Sequence, residues 1–132
     1  MRFAYKRYSD AHARPVIPVR VAASDQWIDY EVLVDSGADI CIFDAELAER
    51  LGIDLESGEH AVISGATGGV QDAYIHPVEL TVGPRTFGAR VAFMSTPEPY
   101  GLAGQRGFFS QFLVTFDQPN EQIELRPPAN RG

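Results

Sequence analysis

Cysteine is almost absent from this chain of 132 residues, in which Cys41 is the only one. No disulfide can therefore form within the chain, and this is typical of proteins from a reducing compartment. The sequence also lacks an apolar run long enough to span a bilayer. Its N-terminal stretch is basic but has no apolar core of the kind found in signal peptides. We therefore predict a soluble, cytoplasmic protein with no membrane partner.

Positive charge is scarce and unevenly placed. The formal net charge is −7, which argues against nucleic acid as a main partner. Residues 1–20 nevertheless carry five basic groups and a single acidic one. We predict that residues 1–14 form a basic arm or an edge strand. This segment either lies on an acidic surface, of its own chain or of a partner, or is simply solvated.

Histidine is also rare, and the three histidines lack the spacing of metal ligands, so we expect no metal and no cofactor. Cys41 together with His60 or His76 suggests a thiol protease as one alternative. The cysteine, however, lies in the apolar run of residues 40–43, and free cysteines in such runs are mostly buried. A core cysteine is the preferred interpretation.

Short apolar segments at close spacing fill most of the chain, whose length suits one domain with a substantial core. They predict strands over residues 16–21, 27–34, 60–63, 70–75, 78–82, 87–94, 113–116 and 122–125. The clearest helix spans residues 44–52, with Asp44 as its N-cap and Gly52 beyond its end, and a shorter one lies near residues 107–112. We predict a mainly β fold, a closed barrel or sandwich with one or two short helices.

The most informative segment is Val32-Leu33-Val34-Asp35-Ser36-Gly37-Ala38-Asp39. An apolar strand ends in a carboxylate, and a hydroxyl and a glycine follow in a tight loop. This is the local chemistry of aspartic peptidases, which need two carboxylates that share one proton. The chain holds one Asp-Ser-Gly, so a second chain would supply the other carboxylate. Taken alone, the tripeptide favours an ordinary Asx-turn that leads toward the helix.

Two further segments, later in the sequence, add to the interpretation of the Asp-Ser-Gly. Residues 65–69 are glycine-rich and lie between two predicted strands, as in a flap that closes over a bound peptide or in an ordinary hairpin loop. Leu102-Ala103-Gly104 is an apolar pair with a glycine, placed before the second short helix.

These three elements, in this order, resemble the retropepsin-like aspartic proteases, a family of single-domain homodimers. The resemblance runs from about Pro15 to Leu125 and is closer to the bacterial and cellular members than to the retroviral ones. It implies a closed barrel with a flap hairpin, homodimerisation, a peptide or protein substrate and no cofactor. It places the protease domain at residues 15–126, followed by a flexible tail at 127–132.

The resemblance also implies a role for each matching position. Asp35 is the expected catalytic carboxylate and would face Asp35 of the partner subunit. Ser36 and Gly37 would support the active-site loop. The expected substrate-binding residues are Ala38 and Asp39 in that loop, Gly65, Ala66, Thr67 and Gly68 in the flap, and Leu102, which with Ala103 would also pack beneath the loop.

The chain departs from the retroviral pattern at one place. Gln105 occupies the position after the late glycine, where retroviral members often have arginine, and Arg106 follows it. An arginine pair with Asp39 is therefore not implied. The termini also differ from the retroviral ones, and residues 122–125 are our candidate contribution to the dimer. The main hypothesis is an aspartic endopeptidase, and the alternative is a non-catalytic dimeric peptide-binding or scaffold module.

Overall fold

The computed structural model describes residues 1–64 and 69–128. Within these ranges one α-helix, α1, spans Ala45–Arg50, and single 3-10 turns cover Leu55–Ser57 and Phe109–Gln111. The strands are β1 (Arg2–Ala4), β2 (Lys6–Arg7), β3 (Ala13–Arg14), β4 (Val16–Ala23), β5 (Gln26–Val34), β6 (Cys41–Asp44), β7 (Glu59–Ser64), β8 (Val70–Val82), β9 (Arg85–Met94), β10 (Gly101–Ala103), β11 (Leu113–Asp117) and β12 (Gln122–Arg126).

A closed six-stranded barrel forms the body of the molecule. Its strands join in the order β4, β5, β10, β6, β9 and β8, and β8 pairs back onto β4. Strand β10 runs parallel to β5, and β6 runs parallel to β9, whereas the other barrel pairings are antiparallel. Alternate residues point inward, as Val19 and Val21 do on β4, and the barrel interior is apolar. The prediction of a mainly β, closed fold is confirmed.

The segment from Val70 to Val82 differs from expectation, because one continuous strand replaces two predicted ones. Pro77 lies in its middle, where a proline usually ends a strand by removing a backbone donor. On one side β8 pairs with β9 throughout Tyr74–Val82. On the other side it pairs with β7 up to Ile75 and with β4 from Glu79. Pro77 falls in the gap between these two partners, so the strand can continue past it.

Helix α1 confirms the local signals of its sequence. The Asp44 side chain accepts a hydrogen bond from the backbone of Glu46, and Gly52 follows the helix with a positive φ of 74°. Leu47 and Leu51 are buried in the core, so packing holds a helix this short. The second predicted helix is a single 3-10 turn.

The chain ends meet in a separate sheet of three strands, in the order β1, β12, β11. Three exposed ion pairs tie the basic N-terminal segment to acidic residues of its own chain: Arg2–Glu124, Lys6–Glu31 and Arg7–Glu121. The segment therefore contacts acidic residues of its own chain. Residues 127–128 have no regular structure, and 129–132 lie outside the described residues.

In the part of the chain that the structure describes, no helix combines the length and apolar character needed to cross a membrane.

Candidate active site

Asp35 stands at the end of β5, where a buried strand meets the surface. Val32 and Val34 of this strand are 1% and 3% exposed, and Asp35 is half-buried. The backbone N–H of Asp35 donates to the carbonyl of Ala103 on β10, at 3.0 Å. The core of the barrel therefore fixes the backbone that carries the carboxylate.

A tight turn follows the carboxylate. The N–H of Gly37 donates to Oδ1 of Asp35 at 2.9 Å, and the N–H of Ala38 donates to its backbone carbonyl at 3.2 Å. A Cβ atom on Gly37 would come within 3.2 Å of the same carboxylate oxygen, which is closer than side chains normally allow. Ser36, Gly37 and Asp39 are exposed, so the carboxylate lies in a loop that is open to solvent. The Asp-Ser-Gly segment therefore forms an Asx-turn, in which Asp35 Oδ1 accepts from the N–H two residues later.

The segment after β10 holds the other half of this loop. The N–H groups of Gln105 and Arg106 donate to the carbonyls of Ala38 and Asp39, at 2.8 and 3.0 Å. Gly104 lies so close that an added Cβ would sit 2.3 Å from the carbonyl oxygen of Ile40. Only glycine permits this approach, and this explains the late glycine noted in the sequence.

Gln105 also contacts the loop through its side chain, which donates from Nε2 to the backbone carbonyl of Ser36 at 2.6 Å. In the sequence, Gln105 stands out only as a departure from the retroviral arginine. Its position directly after the late glycine was the available signal. Among the described residues, no ion pair joins Arg106 to Asp39, and the two are linked by their backbones instead.

Leu102 and Ala103 lie beside the loop, in the middle of the barrel wall. Leu102 is half-buried and pairs with Leu33 on β5 and with Ile42 on β6. Ala103 is buried, and its carbonyl receives the N–H of Asp35. The structure therefore places Leu102 beside Leu33, two positions before Asp35, and Ala103 beside Asp35 itself.

The flanks of the glycine-rich segment form a hairpin, as the sequence predicts. Strands β7 and β8 pair from Glu59–Ile75 to Ser64–Val70. Val62 and Val70 are 59% and 68% exposed, which is unusual for large apolar side chains of a sheet. The predicted tip residues Gly65, Ala66, Thr67 and Gly68 lie outside the described residues.

Cys41 is fully buried, and its Sγ lies 3.5 Å from the carbonyl oxygen of Arg106. Burial raises the pKa of the Cys41 thiol, which keeps it protonated and a poor nucleophile near neutral pH. This environment is that of a core cysteine and not of a thiol protease. Within residues 1–64 and 69–128, no cluster of three or more histidine, cysteine or acidic side chains could hold a metal ion.

Comparison with known proteins agrees with this geometry. Residues 17–106 match the family model described as aspartyl protease. The fold is similar to that of a retropepsin-like aspartic protease from Rickettsia conorii, with a TM-score of 0.70 and 19% identity over 95% of this chain and 89% of that one. It is also similar to EIAV protease in complex with the inhibitor HBY-793, with a TM-score of 0.53 and 22% identity over 74% and 88% of the two chains. A search of curated proteins found no match.

The family match includes the β5 strand, the Asp35 loop and the Gly104–Arg106 segment that holds it. Both solved structures are proteases, and the barrel has their fold. This chain belongs to the aspartyl protease family and has the retropepsin-like fold.

Proposed function

We propose that the protein is an aspartic endopeptidase whose active site forms when two copies each contribute Asp35. The observation that carries the proposal is the single Asp-Ser-Gly, placed directly after the buried strand β5 and held by β10 and the residues that follow it. One carboxylate cannot act as acid and base at once. A two-fold symmetric dimer supplies the second from the same gene.

The chemistry follows from the close approach of two carboxylates. Both cannot ionise cheaply at short distance, so the pair shares one proton. The ionised member takes a proton from a water molecule, which attacks the carbonyl carbon of the scissile peptide bond. The protonated member donates a hydrogen bond to the oxygen on which negative charge develops. No metal or cofactor is needed for this scheme.

The remaining predicted site residues take supporting roles in the proposal. Ser36 and Gly37 keep the loop in shape, and Ala38, Asp39 and Leu102 contact the extended substrate. The β7–β8 hairpin acts as the flap, and residues 65–68, which connect its strands in the sequence, contact the substrate. Its exposed Val62 and Val70 would be covered when a peptide or the second subunit is present.

Strand β11 is the surface that we assign to the dimer. It is an edge strand that pairs only with β12 among the described residues, and it exposes 49% of Leu113 and 41% of Phe116. Edge strands of monomers are usually protected by charge or proline, and β11 has only Asp117 at its end. Strand β12, our candidate from the sequence, is paired on both sides, by β1 and β11.

Antiparallel pairing of two β11 strands about Thr115 is compatible with their charges. Leu113 would then lie opposite Asp117 of the partner subunit, and the two Asp117 carboxylates would stay apart at opposite ends. Arg126 lies beside Leu113 in the same sheet and would be about 10 Å from the partner's Asp117, measured between backbones. An arginine side chain can span much of that distance.

Peptide cleavage by wild-type protein and by Asp35→Asn tests the function. Both proteins are incubated with a mixed peptide library from pH 4 to 7, and products are read by mass spectrometry. Asp25→Asn, in an exposed turn, is the matched control. We expect cleavage by the wild type and the control only. Cleavage by Asp35→Asn at the wild-type rate would contradict the proposal, and silence from all three would favour the peptide-binding module.

Sedimentation equilibrium tests the dimer surface. Phe116→Glu should shift the protein toward monomer and abolish cleavage, because each new carboxylate would lie opposite Val114 of the partner subunit and diagonal to the other new carboxylate in the pairing of β11 strands. Trp27→Glu places the same charge on another exposed aromatic residue, 54% exposed, and should leave the dimer intact. A wild-type dimer that Phe116→Glu does not weaken would exclude β11 as the interface.

A further inference from the structure

One peptide unit connects Gln105 with the proposed catalytic carboxylate. Its carbonyl belongs to Ser36 and accepts the hydrogen bond from Nε2 of Gln105, at 2.6 Å. Its N–H belongs to Gly37 and donates to Oδ1 of Asp35, at 2.9 Å. Because the peptide unit is planar and rigid, an atom that holds its carbonyl also directs its N–H.

We propose that Gln105 is a positioning residue, which sets the orientation of Asp35 through the Ser36–Gly37 peptide. The inference rests on the proposed function for its catalytic consequence, but the contact itself is independent of catalysis. A second effect adds to the geometry. A hydrogen bond accepted by the carbonyl polarises the peptide, and the N–H of the same unit becomes a stronger donor to the carboxylate.

The backbone of Gln105 is held on both sides, so its side chain starts from a fixed point. Its N–H donates to the carbonyl of Ala38 at 2.8 Å, and its carbonyl accepts from the N–H of Ser110 at 3.2 Å. Gly104, directly before it, fits tightly against Ile40. From this fixed backbone position, the side-chain amide of Gln105 reaches the carbonyl of Ser36. Gln105 thereby contacts the loop at two points, before and after Gly37.

A surface hydrogen bond without a positioning role is the competing explanation, because Gln105 is exposed. The two explanations differ in what happens at Gly37. If Gln105 only adds a contact at the surface, its loss leaves the hydrogen bond between Gly37 and Asp35 unchanged. If it positions the loop, the peptide gains freedom to rotate and the Gly37 N–H is released to water.

Hydrogen exchange of the Gly37 amide, followed by NMR, distinguishes the positioning role of Gln105 from a simple surface contact. Gln105→Met keeps the length of the side chain but removes the donor. Gln26→Met is the matched control, since Gln26 lies at the other end of the nine-residue β5, about 30 Å away along the strand. We expect exchange at Gly37 to rise about 3- to 10-fold in Gln105→Met alone, the range that one hydrogen bond supports. An unchanged rate at Gly37 would overturn the inference.

Steady-state kinetics on any peptide that the wild type cleaves provide a second test of the positioning role of Gln105. We expect kcat to fall about 3- to 10-fold in Gln105→Met and Gln105→Glu while KM stays near the wild-type value. Gln105→Arg, which restores a donor, should recover most of kcat. A change confined to KM, or full activity in Gln105→Met, would overturn the inference. If the wild type cleaves nothing, the proposed function fails, and the exchange rate at Gly37 still decides whether Gln105 orders the loop.

Discussion

The Asp35 loop and the β7–β8 hairpin belong to the same seven-stranded sheet but are held in different ways. Backbone groups that are far away in sequence hold the loop: Ala103, Gln105 and Arg106 bind residues 35–39. The hairpin is held by the pairing of its own two strands, and among its described residues only Tyr74 and Ile75 at its base also pair with β9. Its side-chain links, Glu59–Arg90 and His60–Asp72, are exposed ion pairs, the second requiring a protonated histidine.

The molecule thus combines a fixed part, the Asp35 loop, with a loosely held part, the β7–β8 hairpin. Backbone bonds to the core ordinarily open only when the barrel unfolds. A hairpin with exposed strands and surface ion pairs belongs to the less stable part of a protein. In the proposed protease, the fixed part carries the carboxylate, and the loosely held part closes over the substrate.

Gly104→Ala should break the fixed part and give the largest effect. The new Cβ would meet the backbone oxygens of Ile40 and Ala38 at 2.3 and 2.7 Å, and neither can move without disturbing the Asp35 loop. We expect the free energy of unfolding in urea to fall by about 2–4 kcal/mol. Gly88→Ala is the matched control, because a Cβ there meets nothing within 4 Å. Equal urea midpoints for the two variants would contradict the tight approach at Gly104.

Alkylation of Cys41 in the wild-type protein measures how readily the segment beside the Asp35 loop opens. Its thiol is buried against the Arg106 carbonyl, and burial raises its pKa. In the native protein the thiol therefore stays protonated to a higher pH than in the unfolded chain. At pH 8 we expect alkylation on the order of 100-fold slower in the native protein than in urea. Equal rates would mean that the segment beside the Asp35 loop opens freely.

Glu59→Gln should have the smallest effect, because it removes an ion pair of the loosely held hairpin. The side chains of Arg90 and Glu59 are 64% and 66% exposed, so water already screens their attraction. We expect the free energy of unfolding to change by less than about 0.5 kcal/mol. A loss close to that of Gly104→Ala would show that the hairpin depends on its ion pairs as much as the loop depends on its backbone bonds.

Local signals in the sequence predicted the parts of the fold that depend on neighbouring residues. Asp44 and Gly52 marked the ends of α1, and the apolar alternation before Asp35 marked β5. Strands β6 and β10 were missed. They have four and three residues, too few to show a period, and they exist because β5 and β9 lie on either side of them.

At the candidate site, too, the sequence predicted contacts between neighbouring residues but not contacts between distant ones. Asp35, Ser36 and Gly37 were predicted because they are adjacent, and a tight turn needs only adjacent residues. The contact of Gln105 with Ser36 spans 69 positions, and the position of Gln105 after the late glycine does not indicate which residue it binds. The break predicted within β8 had the same cause, since the tolerance of Pro77 depends on where two other strands end.

The sequence by itself determined the carboxylate, its turn, the helix ends and the mainly β character, because each depends on side chains a few residues apart. Only the tertiary structure decided which backbone groups hold the Asp35 loop, how the barrel closes and which strand edge stays open. Those features depend on hydrogen bonds between segments that are distant in sequence. Any strand can form such backbone bonds, so the partner is chosen by the packing of the whole barrel.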